Sequence, residues 1–269
     1  MKKQKVGIIG CGVIGSALAQ AVAGQFARQA RLSFLCDPNP EKAERLKYLL
    51  KNKSLPVVGL SKLIEASDIV VEAAAPPVAA EAAKQGLSQN KDVLIMSVGG
   101  LLNQVKDALK PSRGRLWIPS GAIAGIDALL AAREGGLRQV RLITRKPPLG
   151  LRGAPYFIER KFPPLEGRKE ACVFKGSALE AVRGFPQNIN VAAILSLAGL
   201  GPERTQVEIW TSKRYLSNQH EVILKGDFGE IRTLTQNVPS PGNPKTSLLA
   251  VCSAVATLRK ILSNVRIGT

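Results

Sequence analysis

The chain reads as an α/β protein, a doubly wound parallel sheet followed by a second α+β domain with a mostly antiparallel or mixed sheet. Three observations lead there. A glycine-punctuated strand–helix–strand unit opens the 269-residue chain. Apolar strands then alternate with helix-like segments as far as Gly100, and beyond Pro119 several strands follow one another with alternating polarity. The expected division is 1–119 plus 245–269 for the first domain and 120–244 for the second.

The opening unit carries the most information. Val6 to Ile9 is a short apolar strand, glycines stand at 10, 12 and 15, and an apolar stretch returns at Leu32 to Cys36 before Asp37. Gly10 permits a tight turn out of the strand. Gly12 lets the backbone approach a pyrophosphate, and Gly15 lets the helix pack close to the sheet. The helix opening at Val13 and Ile14 offers free N–H groups and a positive dipole to phosphates. Asp37 follows Gly15 at the interval where a carboxylate can accept hydrogen bonds from an adenosine ribose. Together these make a Rossmann-type unit that grips a dinucleotide. Lys2, Lys3 and Lys5 before an apolar run also resemble the head of a secretory signal. The three glycines, Gln20 and Gln25 interrupt that run, and cleavage would remove the first strand, so the signal reading is set aside.

The elements then follow in order. Pro38 to Leu50 is expected to be helical, with a short strand at Val57 and Val58 and a small helix from Ser61. Asp68 to Ala73 is a buried strand, Val78 to Gly86 a helix, and Asp92 to Ser97 another strand. In a parallel sheet ligands gather at the carboxyl ends of strands, so Ala73–Pro76 and Ser97–Gly100 should rim the cofactor cleft. In the second half a helix runs to Arg133 and a strand from Gln139 to Thr144. A strand around Cys172, helices from Ser177 and Ile189, and strands at Thr205–Thr211, Glu221–Lys225 and Glu230–Gln236 come next. A long helix from Thr246 to Leu262 closes the chain.

Hydrophobic residues at 45 % are enough for a full core, and no apolar run approaches the ~18 residues of a membrane span. The four cysteines are scattered, with no C-x-x-C spacing, and there is a single histidine. This argues against a zinc site and for a reduced, cytoplasmic setting. The net charge of +18 invites a nucleic-acid reading. Eight of the basic residues fall between Arg141 and Lys169, a stretch broken by five prolines that reads as an extended, exposed loop. No nucleic-acid motif accompanies the charge, and aromatic residues at 4 % are too few for a stacking platform. Solvated surface, with some attraction for anionic ligands, is the expected use.

Chemistry is expected at three places. His220, between two expected strands, is either a satisfied structural residue or the proton donor and acceptor that a nicotinamide enzyme needs. Prolines 239, 241 and 244 stiffen a loop that delivers Lys245, Thr246 and Ser247 to a helix N-terminus. That is either a carboxylate or phosphate site or a plain helix cap. Asn188 and Asn190 pose the same choice between cap and ligand amide. Arg145-Lys146 reads as a solvated charge pair.

Several strings together resemble L-aspartate dehydrogenase: Ile8-Ile-Gly-Cys-Gly-Val-Ile-Gly, Ser120-Gly-Ala-Ile-Ala-Gly-Ile-Asp-Ala, Thr144-Arg-Lys-Pro-Pro, Pro186-Gln-Asn-Ile-Asn-Val-Ala-Ala, Asn218-Gln-His-Glu and Asn243-Pro-Lys-Thr-Ser. The resemblance implies a homodimeric NAD- or NADP-dependent enzyme of two domains. It implies conversion of L-aspartate to oxaloacetate and ammonia through iminoaspartate, at the start of NAD biosynthesis. It puts the catalytic histidine at His220 and cofactor contacts at Ala122 and Asn190. Asp37 should favour NAD, with Lys42 and Arg45 letting NADP be tolerated. Another NAD(P)-dependent enzyme of homoserine dehydrogenase or dihydrodipicolinate reductase type, and a nucleotide-sensing binding protein, are the competing readings.

Overall fold

Val6, Ile8 and Ile9 are almost wholly buried because β1 (Gln4–Ile9) lies inside a parallel sheet. In this computed structural model, residues 2–102, 112–158, 160–163, 169–186 and 190–268 are described, without the side chains of Pro244 and Lys245. The chain divides into two units, Met1–Pro119 with Val251–Arg266 and Ser120–Ala250 with the last three residues. The return to the first unit thus falls at 251 rather than 245.

In the first unit β1 pairs in parallel with β2 (Ala30–Cys36) on one side and β3 (Ile69–Glu72) on the other. With β4 (Asp92–Ile95) and β5 (Arg115–Trp117) the order is β2-β1-β3-β4-β5, every pairing parallel. Helices α1 (Val13–Ala23), α2 (Pro40–Leu49), α3 (Leu60–Ala66) and α4 (Pro76–Ser88) alternate with the strands. Every residue of β3 is buried, which is why Ile69-Val70-Val71 is a continuous apolar run rather than an alternating one, closed by the buried acid Glu72. Asn39 caps α2 by accepting from the Glu41 N–H at 2.9 Å, with Pro40 at the first helical position. The chain crosses β1 on its way from β2 to β3. The topological switch point is therefore at the carboxyl end of β1, where the glycine turn lies.

Two expectations are corrected here. Val57 and Val58 form no strand; Val57 makes one isolated bridge to Leu35 and is 41 % exposed, in a segment too short between Pro56 and Gly59 to run alongside β2. The edge strand β5 escaped notice because it is three residues long and begins with an arginine. The final helix α8 (Leu248–Leu262) buries Ala254 and Leu258 among Val6, Leu18 and Val22. It starts two residues later than expected, since Thr246 and Ser247 belong to β12 (Asn243–Ser247), paired with β11 (Pro239–Ser240).

The second unit holds a mixed sheet of order β10-β9-β6-β8-β7, built from β6 (Leu137–Lys146), β7 (Ala171–Ser177), β8 (Thr205–Thr211), β9 (Gln219–Gly226) and β10 (Gly229–Gln236). Only β6 and β8 run parallel. Val140, Leu142, Val207, Ile209, Val222 and Leu224 pack with residues of α5 (Ile126–Glu134), α6 (Ala178–Gly184) and α7 (Asn190–Ala198) in one core. The opposite face carries ion pairs, Arg141 with Glu208 at 2.7 Å and Arg145 with Glu221 at 3.0 Å. The alternation called for a wet face here, but this one is only partly wet: Ile143, Glu208 and Ile223 on it are buried.

The proline-rich basic segment is not simply extended and exposed. Two 3-10 turns, Pro148–Leu151 and Pro155–Phe157, fold it back, and Leu151 is fully buried. Tyr156, Phe157 and Phe162 join Phe174 and Phe185 in an aromatic cluster with ring centroids 4.9 to 5.8 Å apart. Charge count hid these anchors: few aromatics in the chain, but several of them at this spot. Among the described residues no helix is long and apolar enough to cross a membrane.

Candidate active site

The glycine turn has the shape its sequence demands. Gly10 sits at φ +93°, and a Cβ there would lie 2.5 Å from the Ala73 carbonyl oxygen. A Cβ on Gly15 would meet the Gly10 carbonyl oxygen at 1.8 Å, so helix and turn touch backbone to backbone. Gly12 is different: among the described residues nothing stands within 4 Å of a Cβ built on it. It is the N-cap of α1 and brings no side-chain cap, which leaves the first-turn amides around Val13, Ile14 and Gly15 without that competitor. Open space beside uncapped amides is what a pyrophosphate needs, so these residues fit a dinucleotide.

Asp37 is drawn into the same turn. Its carboxylate accepts from the Cys11 N–H at 2.7 Å and from the Asn39 N–H at 2.8 Å. The ribose-facing role expected from its spacing is thus shared with a structural one, holding the turn against the end of β2. Each oxygen keeps a second lone pair for a hydroxyl. Cys11, between the first two glycines, has its thiol pushed up to about 12 by burial and then by Asp37, so it is an inert filler.

Glu72 has a role that sequence reading missed. This buried acid accepts from the Ala74 N–H at 2.8 Å, the Ser97 N–H at 3.0 Å and the Ser97 hydroxyl at 2.8 Å. Burial raises its pKa, and the hydrogen bonds from Ser97 and Ala74 oppose that rise. It ties the carboxyl end of β3 to that of β4, the two loops expected to rim the cleft. An acid ending a β-branched run, with a serine ending the next strand, was the available signal.

In the second unit, His220 is not in a loop. It is the second residue of β9, 4 % exposed, directly opposite Thr144 on β6. Thr144 Oγ1 and His220 Nδ1 are 3.1 Å apart. Burial, and then the charge of Lys146, lower the imidazole pKa to about 3. The near-neutral titration expected of this histidine is therefore replaced by an imidazole held neutral. Lys146 is corrected too. It is no solvated cation but a 5 % exposed residue whose pKa burial lowers to about 8.

Asn237, to which the sequence assigned no role, links two expected residues, Ala122 and Ser247, and Asn218. Its amide donates to the Ala122 carbonyl at 3.0 Å and accepts from the Ser247 hydroxyl at 2.6 Å, while its N–H donates to the Asn218 carbonyl at 2.9 Å. Ser247, directly before α8, thus has its hydroxyl engaged by Asn237. Thr246 is partly buried in β12, and the Lys245 side chain and Asn188 lie outside the described residues. Asn190 opens α7, and a Cβ on Gly121, next to Ala122, would touch Ile194 of that helix at 3.3 Å.

A parallel five-stranded sheet with a glycine turn at its switch point, joined in one chain to a buried histidine in a mixed sheet, defines a dinucleotide-dependent oxidoreductase. Residues 127–261 match the family described as aspartate dehydrogenase, C-terminal, and residues 10–110 match the NAD binding domain of homoserine dehydrogenase. The chain is 43 % identical to L-aspartate dehydrogenase of Methanosarcina acetivorans, over 98 % of this chain and 99 % of that one. It is 38 % identical to L-aspartate dehydrogenase 3 of Bordetella bronchiseptica, over 98 % and 97 % of the two chains. Among solved structures it resembles aspartate dehydrogenase of Thermotoga maritima, with a TM-score of 0.73 and 28 % identity over 99 % of this chain and 100 % of that one. The chain belongs to the L-aspartate dehydrogenase family.

Proposed function

We propose that the chain oxidatively deaminates L-aspartate to oxaloacetate and ammonia with NAD(P), and catalyses the reverse reductive amination. The observation that carries this reading is the buried, Thr144-oriented imidazole of His220 in a chain whose first unit is built to hold a dinucleotide. Gly10, Gly12, Val13, Ile14, Gly15 and Asp37 would hold the pyrophosphate and ribose; Ala122 and Asn190 are the further cofactor contacts of this proposal. When bound, the nicotinamide supplies the two-electron acceptor for the hydride on the substrate Cα.

His220 does the proton work. With Nδ1 engaged by Thr144, Nε2 is the nitrogen left for the substrate. As Cα loses hydride, the substrate nitrogen gives up a proton and the C=N bond of iminoaspartate forms. Water then adds to Cα, its proton passes by way of Nε2 to the substrate nitrogen, and the C–N bond breaks as ammonia leaves. In the reverse direction Nε2 hydrogen-bonds the carbonyl oxygen. The exclusion of water around His220 strengthens such a bond.

NAD is the preferred cofactor in this proposal. A carboxylate at Asp37 opposes a 2′-phosphate, while Lys42, whose charge reaches Cys11 in the glycine turn, lets NADP be tolerated. A homodimer, a cytoplasmic setting and a supply of iminoaspartate to NAD biosynthesis complete the proposal. NADH formation with L-aspartate, measured beside L-glutamate, L-alanine, L-malate and L-homoserine, tests it. A preference for L-homoserine would transfer the chain to the competing dehydrogenase reading.

A further inference from the structure

The helix-covered face of the second sheet changes character along its length. Val140 and Leu142 of β6, Val207 and Ile209 of β8, and Val222 and Leu224 of β9 make it apolar. At the strand ends the same face carries Thr144 and Lys146 from β6, Thr211 from β8 and His220 from β9, none more than 5 % exposed. The registers Thr144↔His220 and Lys146↔Thr211 set the four side by side. Lys146 and Thr211 are the last residues of two parallel strands, the position at which α/β sheets collect ligands.

Removing an ammonium from water is expensive, and a threonine or valine would continue the strand. Arg145, the adjacent cation, alternates to the opposite face and pairs with Glu221.

We propose that Lys146 binds a carboxylate of the substrate beside His220. This rests on the aspartate reading above, in which a dianion must be held next to the imidazole. Shielding from water makes a charge-assisted hydrogen bond from a buried ammonium stronger than one from a surface lysine. The arrangement has a second consequence. The charge of Lys146 suppresses protonation of His220, and a carboxylate bound at Lys146 offsets that charge. The imidazole therefore becomes a better base when substrate is present.

The test compares the full chain with Lys146→Met and Lys146→Arg, reading kcat, KM for L-aspartate, NADH affinity by fluorescence, and Tm. The methionine variant is expected to raise KM on the order of 10²-fold with NADH affinity unchanged, and the arginine variant to recover part of it. A KM within twofold of wild type in folded, NADH-binding Lys146→Met overturns the proposal. So does a fall in kcat with KM unchanged, which would leave Lys146 a tuning role alone. Should the methionine variant not fold, Lys146→Gln is read the same way. If wild type prefers another carboxylate substrate, the aspartate reading fails, and KM for that substrate tests Lys146 separately.

Discussion

Thr144 and His220 face each other across the antiparallel β6–β9 pair, with Oγ1 and Nδ1 3.1 Å apart and both residues shielded from solvent. The bond engages Nδ1 and leaves Nε2 for the proposed proton transfer. His220→Ala should lower kcat by roughly 10²–10⁴ while cofactor affinity stays near wild type. Thr144→Val keeps the shape and removes the hydroxyl. It should lower kcat by about tenfold, the worth of one oriented hydrogen bond. Steady-state kinetics with titration of NADH checks both, and an undiminished rate in His220→Ala would remove the imidazole from the mechanism.

The same burial makes folding sensitive to acid. The unfolded chain has a histidine pKa near 6.5 and the folded one a value of about 3, so between these limits only the unfolded state takes up the proton. Stability is therefore lost as pH falls through that window. Lys146 acts in the alkaline window: its folded pKa of about 8 lies below the ordinary 10.5, so stability rises as pH goes from about 8 towards 10.5. Denaturant melts of wild type and His220→Gln from pH 7 to pH 4 should show a steeper acid slope for wild type. Parallel slopes would mean that the imidazole reaches solvent.

Two glycines of the turn should fail in different ways. Gly12→Ala has room and an ordinary backbone angle, φ −74°. Its Tm should stay within a few degrees of wild type, while NADH affinity falls because the methyl group occupies pyrophosphate space. Gly10→Ala must tolerate a positive φ and a collision with the Ala73 carbonyl, which together cost about 2–4 kcal/mol of stability. Calorimetry and fluorescence titration separate the two. Equal losses of Tm would show that Gly12 is structural as well.

In the proposed reading Asp37, which holds the glycine turn, also sets cofactor choice. Asp37→Ala should shift the ratio of kcat/KM for NAD over NADP by about tenfold or more towards NADP. It should also weaken binding of both cofactors, because the Cys11 N–H loses its acceptor. Asp37→Asn keeps an acceptor oxygen without the charge, so it should change preference with less loss of affinity. An unaltered preference in both variants would confine Asp37 to holding the turn.

Much of this architecture was legible because it is written in local periodicity. A strand buried on both faces, as β3 is, needs a continuous apolar run, and a half-wet strand such as β9 needs alternation. A tight turn meeting a helix needs glycine at Gly10 and Gly15. Those demands act within a few residues, so they survive in the linear order of the chain. His220 was visible as the chain's single histidine, and its family position followed from the neighbouring Asn218-Gln-His-Glu string. Burial of Lys146, the opposition of Thr144 to His220, the clamp of Glu72 on Ser97, and the engagement of Ser247 with Asn237 were not. Each depends on strand register or on an encounter between segments far apart in the chain, and a polar residue's solvent exposure is set only when those segments meet. Arg145 and Lys146 show the limit most plainly: two adjacent cations, alike in sequence, that the pleat of β6 sends to opposite faces, one to pair with Glu221 and one to stand beside the imidazole.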